Sequence, residues 1–248
     1  MSFQKLRVSL IKKLVDLNER MFFERKLLRF YRQELSACNV VIDVGANKGQ
    51  SIDFFLKLNP KCHIYALEPN PDLFRKLTAK YSGKENIHLF NLGISNRSGD
   101  KLFFENIFDY TSTFEDLNPD SEYLRKKARV LGVKPENIIT RQYPVTVLTL
   151  TDFILTHVTD THIDILKIDT EGHEYYCLEG LFNEIKKPGI DYIQIENHND
   201  DMYKDRVSYE VIKKLMHINN YNEFEIVPHA LGDFDEVVYK HTKPSSGN

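Results

Sequence analysis

Four short stretches of the sequence group residue types that could bind a polar ligand or move a proton. "VVIDVGANKGQS", residues 40–51, ends a β-branched apolar run in Asp43 and then sets Gly45, Asn47 and Gly49 at every second position. "YALEPN" closes another apolar run with Glu68 and Pro69. "LKIDTEGHE" runs into Asp169, Thr170 and Glu171, with His173 and Glu174 next, and "YIQIENH" runs into Glu196, Asn197 and His198. An acid at the end of a buried strand can accept from a hydroxyl or an ammonium, or take a proton in a reaction.

The first turn narrows the ligand. A dinucleotide turn reads G-x-G-x-x-G, but aligned on Gly45 this chain has Asn47 third and Gln50 sixth, so a pyrophosphate could not approach the backbone. A P-loop also fails, because Lys48 precedes Gly49 and no G-K-[ST] follows. S-adenosyl-L-methionine carries a ribose, an adenine and an amino-acid tail but no phosphate. Small residues at Gly45, Ala46 and Gly49 would let its methionine part cross the turn. Asp43 could order the loop or accept from the ammonium group, and Asn47 keeps a polar contact. Glu68 lies roughly twenty residues past the glycines, where an acid can accept both ribose hydroxyls. A glutamate there can also cap the next helix, but its coincidence with the first turn favours the ribose.

These residues need a scaffold that brings strand ends together. "NVVIDVG", "CHIYALEP", "NIHLFNLGIS", "HIDILKIDTEGHE" and "IDYIQIENH" read as strands, and "QSIDFFLKL", "PDLFRKLTAKY" and "EYYCLEGLFNEI" as helices between them. Such alternation implies a parallel sheet built from βαβ units. "DKLFFEN" reads as an extra strand, residues 119–132 as an inserted helix, and "QYPVTVLTLTDFIL" as a strand and a short helix. Residues 205–219 read as a further helix, and "NEFEIVP" with "DEVVYKH" as a final hairpin. Residues 2–35 read as helix on the spacing of Leu6, Leu10, Ile11, Leu14, Val15 and Leu17. The expected division is a helical extension over 1–38, a catalytic domain over 39–242 with an insertion at about 105–140, and a tail over 243–248.

Together "VIDVGANKGQS", "ALEPN", "NLGISNRSG" and "ILKIDTEGHEYYCLEG" make the chain resemble the FkbM family of S-adenosylmethionine-dependent methyltransferases over about residues 40–200. The most specific part is "LKIDTEGHE". The resemblance implies an α/β fold: a doubly wound, seven-stranded, Rossmann-like class I methyltransferase sheet with a reversed last strand, here with an N-terminal helical extension. It implies O-methylation of a small molecule, such as a carbohydrate or a secondary metabolite. It also favours Asn91 and Gly93 as residues bordering the adenine, and Thr111, Ser112 and Thr113 as a lid.

Methyl transfer to oxygen requires the protein to position the acceptor and help remove its proton. The candidates are Asp169, Glu171, His173, Glu196 and His198. Asp169 with Glu196 and Asn197 is similar to the metal-holding set of catechol-type O-methyltransferases, which would suit magnesium (Mg2+). Without a metal, His173 or His198 would be the base, with Glu171 or Glu196 orienting it or the acceptor. Glu174 is expected to complement the helix N-terminus.

Composition excludes other classes. The formal net charge of -3 gives no field for nucleic acid. "DTEG" replaces the D/N-P-P-Y/F turn of amino-directed nucleic-acid methyltransferases, and no cysteine follows a proline. Cys38, Cys62 and Cys177 form no C-x-x-C pair, so a zinc site or disulfide framework is not expected and a reducing, cytoplasmic setting is. No apolar run is long enough for a membrane span. The expected partner is a small-molecule or glycan acceptor. A homodimer or membrane-surface contact through the basic N-terminal helices, and a non-catalytic scaffold role, stand as alternatives.

Overall fold

The computed structural model describes residues 24–35, 38–107, 111–183, 189–205, 207–228 and 234–242. The part of the expected N-terminal helix before Glu24, residues 108–110 of the expected insertion and the tail 243–248 lie outside the described residues, and most of the expected dimer contact lies there too.

Strand β1 (Val40–Val44) is buried along its whole length, as its VVIDV sequence demands. It pairs in parallel with β2 (His63–Leu67) on one side and β7 (Ile163–Ile168) on the other. β2 pairs with β3 (Ile87–Phe90), and β7 with β8 (Ile190–His198), again in parallel. β10 (Phe234–His241) runs antiparallel between β8 and β9 (Tyr221–Pro228). The order β3-β2-β1-β7-β8-β10-β9 is the doubly wound, seven-stranded sheet with a reversed last strand that the resemblance implies. The winding reverses between β1 and β7, and a crevice opens at the carboxyl ends of strands at such a switch point.

Alternation along the strands sorts the side chains onto two faces. Val40, Ile42, Val44, Leu166, Ile168, Ile193 and Ile195 join one core with residues of α5 (Leu150–His157), α6 (Glu174–Phe182) and α7 (Tyr209–Ile218). Val41, Ala66, Ile165, Tyr192 and Val238 join the other, which α1 (Glu24–Glu34) and α2 (Gln50–Leu58) cover with Tyr31, Ile52 and Phe55. Tyr31 is fully buried and donates to Gln194 Oε1 at 2.6 Å, which ties α1 to the sheet. α3 (Pro71–Lys80) starts where expected: the Asn70 side chain accepts from the Asp72 and Leu73 N–H groups, with proline at the first turn.

The middle of the chain differs from the linear reading. "NIHLFNLGIS" is not one strand. It breaks after Phe90, and β4 (Gly93–Ile94) leaves for a second sheet of order β4-β6-β5. β5 (Gly99–Asn106) and β6 (Ile139–Leu148) pair antiparallel there. Between them lie residues 111–117 and α4 (Glu122–Leu131), capped by Ser121. This insertion is seated on the loop after β8. Leu117 bridges Tyr203, the Asn118 N–H donates to the Met202 carbonyl, and Leu124, Ala128 and Ile138 pack with Met202 and Tyr203. α7 begins at Tyr209, so residues 205, 207 and 208 are not helix. No helix among the described residues is long and apolar enough to cross a membrane.

Candidate active site

The first turn is tied into the sheet. The Gly45 and Ala46 N–H groups both donate to the Leu67 carbonyl at the end of β2. Gly45 (φ 89°), Asn47 (φ 47°) and Gly49 (φ 80°) adopt left-handed backbone. A Cβ at Gly45 would collide with the Asp169 carbonyl oxygen, and one at Gly49 with the Tyr81 ring. The glycines are therefore demanded by the protein's own packing as well as by any ligand. Ala46 is buried in the α2-side core.

Three acids surround this turn. Asp43 is fully buried and accepts from the Ser51 hydroxyl, while its Oδ1 has no hydrogen-bond partner among the described residues. Glu68 Oε2 accepts from the Asn47 N–H at 2.7 Å, and Oε1 from the Asn70 N–H at 2.8 Å. It thus braces the turn and the start of α3 at once. Asp169 accepts from the Lys167 ammonium at 2.7 Å. Burial pushes Glu68 up to about 7, against the pull of those two N–H groups, with Asp43 and Asp169 adding to the rise. Burial also raises Asp43, opposed by Lys167 and Ser51. Burial would discharge Lys167, but Asp169, Asp43 and Glu236 outweigh it and hold the lysine charged. An acidic mouth of this kind repels a pyrophosphate and suits a ligand with a cationic head and free ribose hydroxyls, so the residues fit S-adenosylmethionine. Asn91 sits at the rim, where its amide donates to the Glu68 carbonyl at 2.8 Å and the Pro69 carbonyl at 3.1 Å. Gly93 does not: a Cβ there would meet the Phe114 ring and Val147, so it is a packing position of the second sheet.

A second group forms at the ends of β7 and β8. Glu171, Glu196 and His198 each offer an atom within 4.8 Å of the others. His198 Nε2 lies 2.9 Å from Glu196 Oε2 and 4.0 Å from Glu171 Oε2, and His198 Nδ1 lies 3.6 Å from Asp200 Oδ2. Tyr203 donates its hydroxyl to Glu171 Oε2 at 3.2 Å. Burial opposes a charge on His198, but the carboxylates of Glu196, Asp200 and Glu171 overrule it and hold the imidazole protonated well above its usual range. Burial, then Asp169, pushes Glu196 up to about 8, and burial with Glu196 raises Glu171 well above a normal glutamate.

Glu171 is presented by an unusual turn. Its φ of 55° is left-handed, as is that of Gly172 at 94°. A non-glycine residue there costs roughly 1–2 kcal/mol, so the surroundings must impose it. Glu174, an acid in the first turn of α6 as expected, accepts at Oε1 from the Thr170 and Gly172 N–H groups at 2.9 and 3.2 Å and so braces the turn ahead of the helix. The Tyr203 ring covers Gly172 so closely that no Cβ fits. Thr113 of the insertion donates its hydroxyl to the Glu171 carbonyl at 2.7 Å.

Two expected assignments change. His173 was a candidate base, yet it is fully buried, with Nδ1 at 2.5 Å from Glu115 and Nε2 at 3.0 Å from Ser95. Burial lowers its proton affinity, and neither ring nitrogen is left for an acceptor. Of the expected metal set Asp169, Glu196 and Asn197, the structure gathers Glu196 with Glu171 and His198. Alternation puts Glu196 and His198 on one face of β8 and Asn197 on the other, where its amide donates to Asn199 at 3.3 Å. Asp169 is taken by Lys167. Lys167 carried a sequence signal, a charge inside a wholly buried apolar strand. Tyr203, Asp200 and Glu115 carried none, because loop residues gain their roles only from tertiary contact.

A profile described as the methyltransferase FkbM domain matches residues 43–223. The 2-O-methyltransferase NoeI of Sinorhizobium fredii is 24% identical over 247 residues, covering 96% of each chain. The hexuronic acid methyltransferase AglP of Haloferax volcanii is 23% identical over 177 residues, covering 71% of this chain and 62% of that one. A solved S-adenosylmethionine-dependent methyltransferase of Aquifex aeolicus overlays with a TM-score of 0.49 at 16% identity, over 94% of this chain and 97% of its own. With the profile spanning most of its length, this chain belongs to the FkbM family of S-adenosylmethionine-dependent methyltransferases.

Proposed function

We propose that the chain methylates a hydroxyl oxygen of a carbohydrate, with Glu171 taking the hydroxyl proton. The observation that carries this reading is the Glu171–His198–Glu196 group beside the acidic turn of Asp43 and Glu68. S-adenosylmethionine, when bound, supplies an activated methyl and its own leaving group. The protein's part is to hold the acceptor in line and remove its proton. Asp43 and Glu68 would hold the ammonium and the ribose.

His198 is the wrong group to accept a proton, since three carboxylates keep it protonated. It serves instead as a fixed cation between Glu171 and Glu196. Glu171 is the better base: burial, and then the neighbouring Glu196, raises its proton affinity well above that of an ordinary glutamate. Carboxylates flanked by a tyrosine hydroxyl suit an acceptor with several neighbouring hydroxyls, and they disfavour a phosphate-rich one. The names of the relatives, a 2-O-methyltransferase and a hexuronic acid methyltransferase, point to the same acceptor class.

The test is incubation with isotopically labelled S-adenosylmethionine and three acceptor pools: oligosaccharides that include uronic acids, transfer RNA, and small phenols. Label in an ether methyl of a sugar is the expected result. Label only in RNA or in phenols would overturn the acceptor class.

A further inference from the structure

The insertion does more than cover the strand ends. Thr113 is fixed to the second sheet by a reciprocal backbone pair with Phe104, at 2.9 and 3.1 Å. Its hydroxyl accepts from the Glu115 N–H at 3.0 Å and donates to the Glu171 carbonyl at 2.7 Å. Glu115 then reaches His173, which opens α6, and His173 reaches Ser95 just beyond β4. Thr113, Glu115, His173 and Ser95 are all buried. The Lys204 N–H closes the other side on the Asp116 carbonyl. Two anchors from the insertion therefore grip the turn over residues 171–173, one at the Glu171 carbonyl and one at the His173 ring. The gripped residue is the one non-glycine in the turn with left-handed backbone.

From this geometry we infer that Thr113 is a positioning residue, which with Glu115 and His173 clamps the Glu171 turn so that its carboxylate stays against His198. The inference rests on the reading of Glu171 above. It gives the second sheet a role in the reaction: β5 is the rigid beam to which the clamp is bolted. Without the Thr113 hydroxyl, Glu171 would relax to right-handed backbone and swing its carboxylate away. The groups that face Glu171 and His198 are Glu196 and Asp200 from β8 and the loop after it, Asp169 from the end of β7, Lys127 from α4, and the Tyr203 hydroxyl.

The test reads His198 directly and needs no acceptor. The imidazole of His198 is titrated by NMR in the full chain with S-adenosylhomocysteine bound. The proteins compared are the wild type, Thr113→Val, Thr113→Ser and, as a reference, Glu171→Gln. Loss of the nearby carboxylate should lower the His198 midpoint, by about half a pH unit or more, in Glu171→Gln. The same shift is expected in Thr113→Val and none in Thr113→Ser, with S-adenosylhomocysteine affinity within threefold of wild type in all. A wild-type midpoint in Thr113→Val, while Glu171→Gln shifts, would overturn the clamp and leave the proposed base standing. No shift in Glu171→Gln would overturn the Glu171–His198 group itself, and the clamp with it. If Thr113→Val fails to bind S-adenosylhomocysteine through misfolding, Thr113→Ala replaces it with the same two outcomes.

Discussion

Gly45 and Asp169 meet backbone to backbone: the Asp169 carbonyl oxygen occupies the space that a side chain at Gly45 would fill. The turn after β1 and the end of β7 are therefore one rigid unit. Asp43 lies two residues before that joint and Glu171 two residues after it, so the proposed places for the cofactor and for proton removal are tied by the same contact. Gly45→Ala should be severely destabilising, since it combines a backbone clash with left-handed strain of roughly 1–2 kcal/mol. Gly83→Ala is the control: its φ of 79° brings the strain, but nothing lies within 4 Å. Urea unfolding should show a loss of about 1 kcal/mol for Gly83→Ala and well over twice that for Gly45→Ala. Equal losses would mean that the joint is soft.

Lys167 is the only cation that the strands of the joint supply to Asp43 and Asp169; it is buried with Asp43, while Asp169 is partly exposed. Removing one partner of a buried pair leaves uncompensated charge and costs about 3 kcal/mol or more. Lys167→Met keeps the volume and should lose that much in denaturant unfolding at pH 7. The loss should shrink as acid neutralises Asp43, whose proton affinity is already raised by burial. A loss below about 1 kcal/mol would place Asp43 in water.

Glu68 links cofactor binding to pH. In the free protein its pKa is raised from 4.5 to about 7. Its contribution to stability is therefore complete below the unfolded value and is lost as pH rises through about 7. Ribose hydroxyls hydrogen-bond best to the ionised form. S-adenosylhomocysteine affinity should thus climb between pH 5.5 and 8, by at most about tenfold per unit below the midpoint. Calorimetry across that range, in buffers of different ionisation heat, should also find a proton released on binding. A flat profile that Glu68→Gln does not alter would remove Glu68 from the ribose.

Much of this was readable in the linear sequence. The apolar runs ending in Asp43, Glu68, Asp169 and Glu196 told where the strands stop, because a buried strand tolerates an acid only where it emerges or finds a partner. The final hairpin was legible for the same reason of periodicity. What escaped was side-chain direction and distant pairing. Asn197 was grouped with Glu196 although adjacent residues of a strand face opposite ways. His173 looked like a base because nothing local announces that Glu115, 58 residues earlier, will bury it. The break at Asn91 and Leu92 was hidden by the apolar residues on both sides, which two different sheets use.

The central claim is that Glu171 takes the proton while the cofactor turn binds independently of it. Methyl transfer to the acceptor found in the oligosaccharide pool should be compared in wild type and Glu171→Gln, with S-adenosylhomocysteine affinity measured on the same samples. Loss of a general base should cut kcat by about a hundredfold or more, with affinity within threefold. A Glu171→Gln protein that turns over at the wild-type rate with full cofactor affinity would contradict the account and move the proton to another group.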